Sequence, residues 1–342
     1  LRKKDGDEVY KAALVRLLSG CEDDGKWPVL LTLLHDPSPL VRSSAVVALG
    51  GHLTPETLRA LVASAADESR LVRIRCASTL AALRPESLPD ARDRANLERA
   101  TGEFMAAMKA RPDDWASHAS LGNYYMESGN FPAAAACFET ATALEPRQIG
   151  PMVNASMAYS NLGRNDQAEQ SLRRALKMEP NNAAANFNLG LLLGEEGRLP
   201  EAEQALRTAL RADPQMAAAA YNLAVILGQK NVDDAIAWCQ KAHQLRPGDP
   251  KYAHTLAFYL RKKDDIEGAV KLLREVVGHE PHYWDAYLLL GDIYESRRDF
   301  PAAAALYRNA LKTDQLPAPL RRELEGKVRA LESQRPGNQP SQ

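Results

Sequence analysis

At 342 residues, with 45% hydrophobic and 25% charged side chains, the chain has enough apolar material to bury a large core. Its 43 Lys and Arg against 44 Asp and Glu leave a formal charge of −1, which gives no broad electrostatic pull toward nucleic acid or an anionic membrane. Apolar runs such as Pro28 to Leu34 fall far short of the roughly 18–20 residues a membrane-spanning helix needs. The expected partners therefore exclude nucleic acid and membrane insertion.

The chain opens on Leu1 and a polar run from Arg2 to Glu8, without the apolar core of a signal peptide. It is expected to be a fragment or a processed product that starts inside a longer array, and its localisation is not encoded. Cys21, Cys76, Cys137 and Cys239 lie far apart with no CxxC spacing, so no disulfide framework is expected and the redox compartment stays open.

The first pattern has a period of 31: Asp36, Leu40-Val41-Arg42 and Ala48-Leu49 recur as Asp67, Leu71-Val72-Arg73 and Thr79-Leu80. One period back, Tyr10-Lys11 and Leu17-Leu18 fit the second helix of a preceding pair. Residues 1–88 thus resemble the short HEAT-type repeat, whose signature is an Asp-initiated helix with Val-Arg in its first turn. In such arrays the Asp and Arg commonly form a ladder between repeats, which the resemblance implies for Asp36, Arg42, Asp67 and Arg73.

Residues 90–110 predict a long helix marked by Leu97, Phe104, Met105 and Met108, ending before Pro112. Its register matches the second helix of the repeat that follows, so a connecting element over 89–114 is expected to weld two arrays together.

From there the period becomes 34. Prolines 112, 146, 180 and 214 are 34 apart, Pro247 follows after 33 and Pro281 after 34 more. Between them the same small and large residues recur, as in Leu121-Gly122, Tyr125, Ala134, Phe138 and Ala141, then Leu189-Gly190, Ala202, Leu206 and Ala209. The residue missing from the fourth unit is expected in the turn near Lys230-Asn231.

These residues resemble the tetratricopeptide repeat (TPR) family over six units, 115–317. Gly or Ala at the eighth and twentieth places lets two antiparallel helices approach closely, large residues fill the gaps, and proline ends the second helix. Each unit buries its faces only by stacking on its neighbours. The expected fold class is all-α, an α-solenoid of HEAT-like helix pairs followed by the family's right-handed superhelix. Ala155-Ser156 replaces Leu-Gly in the second unit and Gln315 replaces the last proline, so looser junctions are expected there.

Leu320, Leu324, Val328 and Leu331 stand at helical spacing and predict a solvating cap over 318–333. Residues 334–342 have too little apolar content to order themselves.

Motifs for chemistry are missing: there is no phosphate-cradling Gly-rich loop, no GxSxG and no HExxH, and His279-Glu280-Pro281-His282 has the wrong spacing. No enzyme activity, cofactor or metal is expected. Cys239 and His243 stand one helical turn apart, but Cys239 occupies a packing place of the repeat.

The resemblance places the second, fifth, sixth, ninth, twelfth and thirteenth residues of each first helix on the concave surface, where the family holds peptides. The sixth places of units two to four are Asn154, Asn188 and Asn222, with Asn123 at the ninth place of unit one. Carboxamides offer donor and acceptor together and so can pair with an extended backbone. Beside them run Val153, Phe187, Tyr221 and His254 at the fifth places and Met157, Leu191, Val225 and Phe258 at the ninth. The expectation is a peptide or protein partner in this groove; the alternative is that the asparagines only satisfy neighbouring helix carbonyls. The family's clamp for a carboxylate tail needs lysines and an arginine where Ala119, Ala184 and Asn188 stand, so that specificity is not expected.

The order of HEAT-like pairs, long helix and tetratricopeptide array also resembles the C-terminal region of some bacterial multihaem c-type cytochromes. That resemblance implies a periplasmic docking arm whose haem-binding part lies upstream; otherwise a cytoplasmic scaffold is expected. Self-association through an open apolar end near Leu1 is a further expected contact.

Overall fold

The computed structural model describes residues 8–21, 23–313 and 315–333, so the expectations for residues 1–7 and for the 334–342 tail lie outside the described residues. Among the described residues the secondary structure is nineteen α-helices and one short 3-10 turn, with no strand. The chain is an α-solenoid. It divides into two compact units, Leu1–Glu179 and Pro180–Gln342.

The first unit begins with α1 (Glu8–Ser19), α2 (Lys26–Leu33), α3 (Pro39–Leu49), α4 (Pro55–Ser64) and α5 (Arg70–Thr79). Helix α1 packs on α3 and α3 on α5, so the second helices of the short repeats form one row. The helix starts follow from local chemistry: Ser38 accepts from Leu40 N with Pro39 behind it, and Thr54 forms a capping box with Thr57. Asp36 and Asp67 are not the caps themselves. Each accepts the backbone N–H of the serine two residues on, Ser38 and Ser69, and so fixes the turn that leads into the helix.

Arg42 forks onto Asp67 of the following pair, with Nε–Oδ2 at 2.8 Å and Nη2–Oδ1 at 2.9 Å, while its Nη1 donates to Asp36 O and Pro37 O. Arg73 repeats the device one period on, bound to Asp67 O and Glu68 O and forked onto Glu103. The ladder implied by the HEAT resemblance is therefore present, and its second rung ends on α6 (Ala91–Lys109).

Helix α6 carries the core across the change of period. Leu97, Ala100 and Phe104 are buried in the same cluster as Val41, Leu61 and Cys76 on one side and Leu121 on the other. The unit continues with α7 (Trp115–Glu127), α8 (Phe131–Leu144), α9 (Ile149–Asn161) and α10 (Asn165–Met178). No break separates the short repeats from the long ones; the division between units falls instead after α10.

The second unit contains α11 (Ala183–Glu195), α12 (Leu199–Ala212), α13 (Ala217–Leu227), α14 (Val232–Leu245), α15 (Pro250–Lys262), α16 (Ile266–His279), α17 (Trp284–Ser296), α18 (Phe300–Leu311) and α19 (Ala318–Ser333). Helix α19 packs on α18 and buries Leu324, Val328 and Leu331. Its Arg321 donates to Leu311 O at the end of α18 and to Thr313 O just beyond it, tying the two helices together across their turn.

Close approach within pairs follows the eighth place. A β-carbon on Gly122 would stand 2.5 Å from the Phe138 ring, and one on Gly190 would stand 2.7 Å from Leu206 Cγ. Where the eighth place is Ala224, the residue opposite in the register is the smaller Cys239, and both are fully buried. Burial pushes the Cys239 thiol up to about 12, so it packs as a small apolar group.

The turns inside the pairs share one geometry. Gly129, Gly163, Gly197, Asp264 and Arg298 all have positive φ, and the next residue donates back five positions, as in Arg164 N to Tyr159 O at 2.9 Å. The fourth repeat departs from this. Asn231 N reaches only four residues back, to Leu227 O, and Gly228 has φ −60, so the residue missing there is the left-handed one.

Candidate partner-binding faces

In the first unit, Asn123 of α7 and Asn154 of α9 meet: Asn154 Nδ2 donates to Asn123 Oδ1 at 3.0 Å. That bond fixes both carboxamides and leaves the Asn123 amide hydrogens and the Asn154 carbonyl oxygen to other partners. Met157, one turn on from Asn154, is 44% exposed although its neighbours Ser156 and Ala158 are buried.

In the second unit, Phe187, Asn188 and Leu191 lie on α11, Tyr221 and Asn222 on α13, and His254 and Phe258 on α15. Phe187, Asn188, Leu191, Tyr221, Asn222 and His254 are half-buried, and Phe258 is 47% exposed. Asn222 turns back to its own helix, Nδ2 donating to Ala218 O at 2.8 Å, whereas among the described residues the Asn188 side chain has no hydrogen-bond partner. Two sites of one sequence pattern are thus used differently.

Aromatic contacts join the first helices of this unit. Tyr221 tilts against Tyr252 with centroids 5.2 Å apart, and Lys251 Nζ stands 4.3 Å over the Tyr221 ring. His254 meets the edge of Tyr283 at 5.7 Å, and Phe258 that of Tyr259 at 5.3 Å. Burial lowers the His254 pKa below its ordinary 6.5, against a weaker opposing pull from Asp285, so the imidazole is neutral at pH 7.

Lys251, Tyr252 and Tyr283 are the residues that the sequence pattern missed. Lys251 occupies the second place of its helix, one of the groove positions, and the signal lay there. Tyr252 and Tyr283 come from the third place and from the turn ahead of α17, which the pattern does not mark. Another asparagine, Asn186, is buried and donates to Pro180 O and Asn182 O, a purely structural use.

The repeat pairs, the eighth-place glycines and the shared turn are matched by the tetratricopeptide repeat description at residues 88–149, 153–217, 190–250 and 255–317, more than half of the chain. The chain belongs to the tetratricopeptide repeat family. HEAT repeats match residues 1–101, so both descriptions take in the beginning of α6. No curated protein matches the chain at a significant level.

Among solved structures, the TPR chain resembles PilF of Pseudomonas aeruginosa at 20% identity, covering 67% of this chain and 100% of that one with a TM-score of 0.54. It resembles PilW, a type IV pilus biogenesis factor, at 17% identity over 66% of this chain and 100% of that one, TM-score 0.53. The APC/C hetero-tetramer Cut9–Hcn1 is 13% identical over 93% of this chain and 69% of that one, TM-score 0.51. At these identities the likeness establishes the fold alone. The matches account for the repeats and do not extend the likeness to multihaem cytochromes.

Proposed function

We propose that this protein is a non-catalytic interaction scaffold that holds an extended peptide or a partner surface against the first helices of its TPR units. The observation that carries this is the ninth place, where Met157, Val225 and Phe258 are 44%, 38% and 47% exposed in helices whose other large apolar residues are mostly buried. Leaving such side chains in water costs hydrophobic free energy that a partner would recover. Asn154, one turn from Met157 on α9, and Asn188, on α11, retain hydrogen-bonding capacity for a peptide backbone.

Family membership supports the reading, because TPR arrays are generally scaffolds. Within it, residues 1–88 form the HEAT-like part, 89–114 the connection, 115–317 the six TPR units and 318–333 the cap. Among the described residues no helix is long and apolar enough to cross a membrane, and no group of His, Cys, Asp and Glu could hold a metal ion. Val9, Tyr10 and Leu17 of α1 are more than half exposed and offer a separate apolar contact for self-association. The reading as a cytochrome's docking arm is carried only by the order of repeats in the sequence.

The test is a pull-down from native lysate with the full chain, beside Asn154→Ala with Asn188→Ala and beside Tyr221→Ala with Phe258→Ala, followed by binding assays with each protein captured. Variants that keep their helicity and melting temperature but lose the captured protein support the scaffold. Unfolding of the asparagine pair, or equal binding by every variant, would sink it.

A further inference from the structure

A cavity of about 700 Å³ lies wholly within the first unit, between α5, the end of α6 and α7. From α7 it is lined by Ser120 and Asn123, the sixth and ninth places of the first TPR helix, and from the short repeats by Leu71 and Ile74. It is therefore where α5 of the HEAT-like part faces the inner positions of the first TPR helix, a composite that neither repeat type makes alone.

Its charges are unequal in availability. Arg70, Arg75 and Arg111 line it, together with Asp114 and Glu127. The Asp114 carboxylate is already committed as the cap of α7, accepting from Ala116 N, Ser117 N and the Ser117 hydroxyl. These bonds, that from Ser117 foremost, hold it below the ordinary carboxylate range. Arg70 donates one long bond of 3.5 Å to Glu103 O. Among the described residues the exposed guanidinium groups of Arg75 and Arg111 have no salt bridge or hydrogen bond, although the Arg111 charge acts on the Asp114 carboxylate; Arg73, by contrast, is spent on Glu103.

The remaining lining is apolar. Leu71 is 39% exposed, and Ile74 and Met108 add partly buried side chains. Asn123 presents its amide hydrogens because Asn154 occupies its oxygen.

We propose that this cavity anchors an acidic segment of a partner protein, its carboxylates on Arg75 and Arg111, an apolar side chain against Leu71, Ile74 and Met108, and a carbonyl on the Asn123 amide. The assignment rests on the scaffold reading and names the chemistry that the first unit selects. Charge complementarity decides the occupant: planar guanidinium groups suit carboxylates, and the apolar floor suits a side chain. Nucleic acid fits less well, since three arginines beside an apolar floor offer few cations for a phosphate backbone and an apolar contact that a side chain, not a phosphate, would use.

The test is fluorescence anisotropy on the full chain with a short labelled peptide alternating Glu and Leu, its counterpart with Gln for Glu, and labelled oligothymidylate. The Glu peptide should bind, weaken as salt is added, and lose about tenfold in affinity in Arg75→Ala with Arg111→Ala, the effect of two partly screened ion pairs. Because both side chains are exposed, the melting temperature should not change. The proposal is overturned if the Glu peptide does not bind, if the double variant binds it equally, if the Gln peptide binds as tightly, or if the oligonucleotide binds better. Binding kept in the arginine variant but lost in Tyr221→Ala with Phe258→Ala overturns the anchor and leaves the scaffold function standing.

Discussion

Leu206 of α12 occupies the space that a side chain on Gly190 of α11 would need, its Cγ 2.7 Å from the position of a β-carbon there. Both residues are buried, and the Ala202 carbonyl closes the site at 3.3 Å. Gly190→Ala would gain about 1 kcal/mol of helix propensity but crowd a packed interior at about 1–3 kcal/mol, a small net loss. Gly190→Leu should cost about 3 kcal/mol. In Gly190→Ala with Leu206→Ala, the total loss in urea unfolding should be smaller than the sum of the two single changes. Additive losses would mean that the two helices do not meet at this pair.

The left-handed turns make a second contrast. Gly163 has φ +68, and an added β-carbon there would meet nothing within 4 Å, so any cost of Gly163→Ala is conformational; about 1 kcal/mol is expected. Arg298 holds the equivalent place of the sixth repeat with φ 59 and already bears that strain. Arg298→Gly should therefore leave stability unchanged or raise it by up to about 1 kcal/mol, read as a higher melting temperature. A fall would show that the Arg298 side chain contributes more than its backbone costs.

The periods of 31 and 34 were legible because each repeat spends its residues on the same contacts, and even the shortened fourth turn stood where the proline spacing put it. What the asparagines do was not legible. Asn154 finds a polar neighbour, Asn123, at the ninth place of the preceding repeat, while Asn222 is preceded there by Leu191 and turns to the Ala218 carbonyl of its own helix. The same residue at the same place takes its role from a side chain one period away. The Asp and Arg ladder was readable as a type but not in its last rung, since Glu103 lies off the 31-residue period. The division after Glu179 leaves no mark, because the proline series runs through it unbroken.

The ladder's rungs should differ sharply from surface pairs. Arg42 and Asp67 side chains are 8% and 12% exposed, and removing the arginine strands a carboxylate in a poorly hydrated turn. Arg42→Ala should cost about 3 kcal/mol, and Arg42→Lys should restore only part because it cannot fork onto both oxygens. Arg207, paired with Glu203 on the same helix face at 3.0 Å, is 39% exposed, and Glu203 keeps Lys230 at 3.6 Å. Arg207→Ala should change stability by no more than about 0.5 kcal/mol. Equal losses in denaturant unfolding would remove the case that the short repeats depend on their arginines.

The last prediction concerns pH. The Tyr307 hydroxyl donates to Glu295 at 2.6 Å and Lys327 Nζ donates to the same oxygen at 3.0 Å, tying α17, α18 and α19 together. Burial by itself raises Glu295, but these two bonds and the Lys327 charge outweigh it and hold the carboxylate below its ordinary 4.5. Tyr307 is pushed above its ordinary 10.0, first by burial and then by the bond to Glu295. A depressed carboxylate contributes stability that is present above 4.5 and lost as pH falls through its folded value; a raised tyrosine contributes stability that is present below 10.0 and lost as pH rises. Stability should be flat with respect to these groups between those values and fall on both sides. Tyr307→Phe removes one donor to Glu295 and the tyrosine itself, so the carboxylate is less depressed and both the acid and the alkaline loss should become shallower. Urea unfolding of the two proteins across the pH range reads both limbs, and identical profiles would show that the hydroxyl and the carboxylate are not coupled.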